Sequence, residues 1–255
     1  MKTEDALVAK GLNVMRGYSQ ALCNVDVSMR AGQWTCVVGL NGAGKTTLLK
    51  ALAGLLPSTG DLYVQGQELR ALSAKQRALL IAWLGQQEQG SDDLSVADVV
   101  KLGRMPHRSF GGGTDAIDDA IVQTWLARLQ LLPLQDKRLG QLSAGERQRA
   151  LLARALATQA PVVLMDEPIA NVDLPNQSDW VKTVRQLTQN KTTVVSVLHD
   201  LNLAMRADQV VLMHHGRLVM QSTPDDTQLH QAMHEVFQHR IAIHRVAQQW
   251  VVLPL

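Results

Sequence analysis

The octapeptide Gly39-Leu-Asn-Gly-Ala-Gly-Lys-Thr46 constrains this chain more than any other feature. It follows an apolar run at 33–38 that reads as a buried strand. It precedes 45–55, where Leu48, Leu49, Leu52 and Leu55 recur at helical spacing. Strand, glycine loop and helix form the setting in which G-x-x-x-x-G-K-[ST] has mechanical meaning. Glycines let the backbone curl until successive N–H groups and the helix N-terminus converge, which makes a cradle for phosphate oxygens. Lys45 adds a point charge, and the Thr46 hydroxyl can ligate magnesium.

The remaining pattern alternates short apolar segments with longer helical ones, the mark of an α/β sheet protein. A second strand is expected at 80–84, leading into a polar stretch at 86–93. About 70 residues of helical pattern follow. Ser95 with Asp98 reads as a capping box opening a helix at 96–103, and 115–130 reads as another, with glycines at 111–113 loosening the connection. Strand signals return at 161–165, 192–198 and 210–213, separated by helices at 175–189 and 201–207. A helical insert between Gln86 and about Ala160 thus splits one α/β core, and a short tail follows from about Gln221. The expected division is a core at 1–86 and 160–220, a helical part at 87–159 and a tail at 221–255.

Length and charge limit the rest. A chain of 255 residues suits one globular unit with a subdomain, and 46% hydrophobic against 19% charged residues is ordinary globular composition. A net charge of +2 supplies no field to hold nucleic acid. Cys23 and Cys36 sit in apolar runs, as buried reduced thiols do, which fits a reducing compartment. The N-terminus lacks the apolar stretch of an export signal, and no run of about 18 apolar residues occurs anywhere, so work at a membrane needs a partner.

Two further stretches carry chemistry. The apolar strand at 162–165 ends in Asp166 and Glu167, which places two carboxylates at a strand's C-terminal edge, where α/β sheets bind ligands. Asp166 suits magnesium. Glu167 suits polarising the attacking water that phosphoryl transfer requires. Leu142-Ser-Ala-Gly-Glu146, then Arg147-Gln-Arg149, opens a helix with an apolar stripe at Leu151, Leu152 and Ala155. By itself this is a capping box in which Ser143 caps and Glu146 reaches back. The small Ala144-Gly145 pair would also let an anion approach the helix N-terminus.

Taken together and in this order, the motifs resemble the nucleotide-binding subunit of an ATP-binding cassette transporter, across almost the whole chain. The resemblance implies a RecA-like P-loop NTPase core with an inserted α-helical subdomain and an N-terminal antiparallel β subdomain. It implies ATP contacts from Tyr18, stacked on adenine, and from Gly39, Asn41, Gly42, Ala43, Gly44, Lys45, Thr46 and Thr47 of the Walker A region. Magnesium would be held by Thr46, Asp166 and the Q-loop Gln86. Catalytic roles would fall to Glu167, Lys45, Gln86 and the switch His199. Ser143, Ala144, Gly145 and Glu146 would form the signature motif, and Asp173 the D-loop acid. Ala144 and Glu146 replace a glycine and a glutamine of the usual signature, and Ala170-Asn-Val-Asp173 differs from the commoner Ser-x-Leu-Asp.

Partners also follow from the resemblance. Two such subunits would sandwich two ATPs head to tail, with Ser143 and Gly145 acting on the partner's nucleotide. The homodimer would sit on permease subunits at the cytoplasmic face of the cell membrane and serve a periplasmic binding protein indirectly. The segment 94–107 and the tail 236–255 look like the importer branch for iron-siderophore, haem or cobalamin complexes. Soluble relatives in DNA repair carry a long coiled coil, and those in translation two cassettes. Neither pattern is seen here, and exporters commonly fuse a membrane domain. A permease contact is expected on 86–107, with Asp98 and Arg104 as exposed charges. Six of eight histidines lie after position 210, but His230, His234 and His239 have the wrong spacing for a zinc site and are expected on a solvated face.

Overall fold

The computed structural model describes residues 4–86, 92–108, 116–169 and 173–255. In chain order the elements are β1 (Asp5–Arg16), β2 (Ser19–Arg30), β3 (Trp34–Val38), α1 (Lys45–Leu52), β4 (Thr59–Val64), β5 (Gln67–Glu68), α2 (Ala74–Leu80) and β6 (Ile81–Leu84). Next come α3 (Val96–Leu102), α4 (Ala116–Arg128), α5 (Ala144–Ala157), β7 (Val162–Asp166), α6 (Leu174–Gln189), β8 (Thr193–Val197) and α7 (Leu201–Ala204). The chain closes with β9 (Gln209–His214), β10 (Arg217–Ser222), α8 (Thr227–Val236), β11 (Ile241–Val246) and β12 (Gln249–Pro254).

The central sheet has the order β10-β9-β3-β8-β7-β6, parallel except for β10, which turns back on β9. β3, β7 and β8 are buried along their whole length, because a parallel sheet carries layers on both faces. The two faces feed different cores. Cys36 and Val38 of β3, with Val163 and Met165 of β7, pack toward the helices α3, α4, α5 and α6. Val37, Val162 and Leu164 pack toward α1 and a second, antiparallel sheet of order β2-β1-β4-β5. This is the period-two alternation of a strand, apolar on both sides. The expected antiparallel N-terminal sheet is therefore present, and its strands β1 and β2 pair along nearly their whole length.

Between β6 and β7 the described residues hold α3, α4 and α5, and their buried side chains join the same apolar cluster as one face of the sheet. Gly103 permits close approach of α3 to α5, since a Cβ there would lie 2.1 Å from the Arg154 carbonyl oxygen.

Several expectations shift. Helix 201–207 shrinks to Leu201–Ala204. β10 runs to Ser222, past the expected start of the tail, because a two-residue turn at His215-Gly216 pairs it with β9. Ser95 caps α3 through the Asp98 N–H at 3.1 Å, but the Asp98 carboxylate takes the Ser95 hydroxyl instead of completing a reciprocal box. Cys36 is buried and its thiol is pushed up to about 12 by desolvation, whereas Cys23 on β2 is only half-buried.

Arg104 overturns its expectation outright. It is 4% exposed, not a surface charge, and its Nε donates to Asp118 at 2.7 Å while Nη1 donates to the Ala157 carbonyl at 2.7 Å. The residue follows α3 at the point where the chain turns under α5, so its fork ties three segments of the helical region together. The glycines at 111–113 and residues 170–172 fall outside the described residues.

Candidate nucleotide site

The loop between β3 and α1 needs glycine for steric reasons. Gly39 has φ 147°, and a Cβ there would stand 2.2 Å from the Met213 carbonyl oxygen. Gly44 has φ 96° and precedes the first residue of α1. Lys45 folds over the loop, with Nζ donating to the carbonyls of Gly39 at 2.8 Å and Leu40 at 3.0 Å. Burial lowers the pKa of this ammonium, while the Glu167 and Asp166 carboxylates oppose that effect. The cation is thus held at the loop's centre, on acceptors that phosphate oxygens could replace.

Thr46 follows on the same turn, and its Oγ1 donates to Asp166 Oδ1 at 3.1 Å. Asp166 ends β7, one strand away from β8 and two from β3. Its carboxyl sits above the usual value because it is buried, with the Thr46 hydrogen bond pulling the other way. A hydroxyl and a buried carboxylate side by side are the hard oxygen donors that magnesium prefers. Among the described residues no cluster of three or more His, Cys, Asp or Glu could hold a metal ion by itself.

Glu167 adopts φ 52°, a left-handed conformation uncommon for a non-glycine residue and concentrated at functional sites. Its amide donates to Val197 at 3.2 Å, which anchors the turn against β8. The carboxylate is gripped from both sides: Gln86 Nε2 donates to Oε2 at 2.5 Å, and His199 Nε2 donates to Oε1 at 2.6 Å. The ends of β6, β7 and β8 therefore converge on one carboxylate.

Asn41, Gly42, Ala43, Gly44, Lys45, Thr46, Thr47, Glu167 and His199 line one cleft of about 830 Å³. Gln86 and Asp166 join it through Glu167 and Thr46. Tyr18 is fully exposed at the β1–β2 turn, next to Arg16, Ser19 and Gln20, which line the cleft. Those three escaped the sequence reading, as did His215. The signal for His215 was available: His-Gly between two strand patterns is a two-residue hairpin turn. The Gly216 amide of that turn donates to the Ala43 carbonyl at 3.0 Å, holding the hairpin against the glycine loop.

The signature residues lie elsewhere. Ser143 caps α5, accepting from the Glu146 amide at 3.3 Å, while Glu146 Oε2 accepts from the Ser143 amide and hydroxyl, both at 2.8 Å. Those bonds hold the Glu146 carboxyl below its usual value. A Cβ on Gly145 would meet nothing within 4 Å, so the first turn of α5 is open to a ligand. None of these four residues lines the glycine-loop cleft. Asp173 caps α6, accepting from the Asn176 amide at 3.2 Å. Among the tail histidines, His230 lies near the Pro224 carbonyl at 2.7 Å and against the Trp250 ring.

The family model described as ABC transporter matches residues 22–170, more than half of the chain. The chain belongs to the ABC transporter family. This cassette is 38% identical over 237 residues to a cobalamin import ATP-binding protein of Halobacterium salinarum, covering 91% of this chain and 59% of that protein. It is 38% identical to a hemin import ATP-binding protein of Streptomyces coelicolor, over 92% of this chain and 84% of that one. It is 33% identical to a petrobactin import ATP-binding protein of Bacillus anthracis, over 92% and 87%. The fold matches a metal-chelate type ABC transporter in an inward-facing conformation, with TM-score 0.81 and 23% identity, covering 99% of this chain and 98% of that one. It also matches the dimeric structure of a bacterial ABC transporter cassette, with TM-score 0.78 and 24% identity, over 86% and 99%.

Proposed function

We propose that this cassette is the ATP-hydrolysing subunit of a membrane importer for iron-siderophore, haem or cobalamin complexes. The observation that carries the reading is the placement of Glu167, flanked by Gln86 and His199, over a glycine loop that holds Lys45. Phosphoryl transfer needs a positioned water, charge neutralisation at the phosphates and little covalent chemistry. Lys45 leaves the loop carbonyls for the β- and γ-phosphates, and the loop amides take the remaining oxygens. Thr46 and Asp166 would hold magnesium, which neutralises phosphate charge when it arrives with the nucleotide. Glu167 orients the attacking water and accepts its proton once Gln86 and His199 loosen their hold. The names of the three relatives described above, each an import ATP-binding protein, support import.

The separation of the capped, open start of α5 from the glycine-loop cleft supports a head-to-tail homodimer in which Ser143, Ala144, Gly145 and Glu146 cover the partner's nucleotide. Among the described residues no helix is long and apolar enough to cross a membrane, so a permease must supply the path. We place its contact on 86–107, in the helical part assigned to 87–159 between the two sections of the core. A cleft of about 300 Å³ opens beside that segment, lined by Trp83, Leu102 and Pro106. Gln86 links the γ-phosphate side to this surface through Glu167. Such a contact would place the cassette peripherally, at the cytoplasmic face of the membrane.

The deciding experiment measures magnesium-dependent ATP hydrolysis by the purified chain, then ATP-driven uptake of each of the three cargo classes after assembly with its permease. Hydrolysis without uptake of any of them would reject the import reading and leave the ATPase reading standing.

A further inference from the structure

The turn His215-Gly216, which closes the hairpin of β9 and β10, is wedged between two other parts of the molecule. Its Gly216 amide donates to the Ala43 carbonyl of the glycine loop at 3.0 Å, and the Gly216 carbonyl accepts from the Cys23 amide of β2 at 2.9 Å. A Cβ on Gly216 would stand 2.6 Å from the Ala21 carbonyl oxygen, so the turn packs tightly on β2.

Both turn residues have positive φ, 46° and 73°, as a type I′ hairpin turn requires. Such turns favour Asn, Asp or Gly at the first position, so the turn by itself does not call for a histidine. His215 is exposed and lines the glycine-loop cleft. Its ring lies beside that of His214, with centroids 4.0 Å apart.

Sheet order says which part of a nucleotide this residue would meet. The parallel strands run β9, β3, β8, β7, β6, and the glycine loop follows β3. Glu167 and His199 follow β7 and β8 on one side of that loop, whereas His215 follows β9 on the other. Ser19 and Gln20, next to Ala21 in β2, line the cleft as well. A nucleotide whose terminal phosphate lies by Glu167 and Lys45 carries its nucleoside at the opposite end of the phosphate chain. The groups waiting there are those on the β9 side.

We propose that His215 contacts the nucleoside half of the bound nucleotide from the β9 side of the glycine loop, setting affinity without acting on the reacting phosphate. The proposal rests on the reading of this cleft as the ATP site. A contact made equally in the ground state and the transition state changes KM and leaves kcat alone.

His215→Asn tests it, because Asn-Gly suits a type I′ turn and removes only the imidazole; His215→Gly is a second variant the turn accepts. ATP, ADP and inorganic tripolyphosphate, each with magnesium, are titrated calorimetrically into the full chain and both variants, and steady-state hydrolysis is measured alongside. ATP and ADP should bind roughly threefold to tenfold more weakly to each variant, the loss of one net hydrogen bond. Tripolyphosphate, which has no nucleoside, should bind as before, and KM should rise by the same factor as the ATP dissociation constant with kcat retained. Unchanged affinity for ATP and ADP overturns the contact. An equal loss for tripolyphosphate overturns its assignment to the nucleoside half, and a fall in kcat at constant KM overturns the separation from hydrolysis. If the unsubstituted chain binds no ATP, the reading of the cleft falls and this proposal with it; if it binds ATP without hydrolysing it, the ATPase reading alone falls and the titrations still decide.

Discussion

His199 Nε2 lies 2.6 Å from Glu167 Oε1, a bond that joins the ends of two neighbouring parallel strands, β8 and β7. A carboxylate is an acceptor only, so the histidine must present its Nε2 proton to it. Gln86 takes the other oxygen from the end of β6. Glu167 is thus held by two neighbours, and the function proposed for it, activation of water, requires its release.

Glu167→Gln should keep ATP binding and lower turnover by about 10²–10⁴-fold, the range that general acid–base groups contribute. The amide preserves shape and loses basicity. With hydrolysis blocked, ATP should drive the chain into a dimer, which sedimentation would detect. Monomer alone with ATP, under conditions where the assembled transporter turns over, would count against the shared-site model.

Lys45→Ala should lower turnover by roughly 10²–10³-fold, the scale of losing one preorganised charge partner, and should weaken ATP binding as well. Steady-state hydrolysis and nucleotide titration check the two effects separately. Undiminished turnover in the purified variant would show that the loop is not the working site.

Arg104 and Asp98 should part company. Arg104→Glu breaks a buried ion pair and should cost about 3–5 kcal/mol, read as a lowered denaturation midpoint. Asp98→Lys, on the exposed side of α3, loses the bond from the Ser95 hydroxyl and puts a cation in the helix's first turn, which should cost about 1 kcal/mol, and it should leave ATP affinity near normal while reducing permease binding or transport. Cysteines scanned along 86–107 and crosslinked to the permease test the surface itself. Crosslinks confined to other parts of the chain would remove it from consideration.

Asp166→Asn should stabilise the nucleotide-free protein at neutral pH while impairing magnesium-dependent hydrolysis. Burial raises the folded pKa above the ordinary 3.8, so the native state binds the proton more readily than the unfolded chain does. The contribution to stability is then full below 3.8, falls as pH rises through the folded value, and stays low at neutral pH. Melting curves of the two proteins should separate at pH 7 and converge as the pH is lowered toward 3.8.

The local parts of the site were legible because they rest on local physics. A glycine loop between a buried strand and a helix, two carboxylates ending an apolar strand, and a Ser-x-x-Glu helix start are each determined by neighbours within a few residues. The parallel core strands were legible too, since burial on both faces makes continuous apolar runs such as 162–165. The residues 5–16 and 19–30 were harder to read directly, and their place as an antiparallel sheet followed only from the motifs further along.

Tertiary structure decided what depends on distant segments meeting. Nothing near Arg104 announces that Asp118 and the Ala157 carbonyl will surround it, so a charge beside a helix end looked exposed. His215 reached the cleft because β10 folds back on β9 and lays its turn against Ala43. Gln86, Glu167 and His199 are far apart in the chain, and only the order β8-β7-β6 brings their side chains within hydrogen-bond distance. By itself the sequence determined which residue types stand at strand ends and helix starts, because propensity and spacing act within a turn or two. Which of those ends share one cleft, and which charges lie buried, was decided by the packing of the sheet, because burial and pairing belong to the folded chain as a whole.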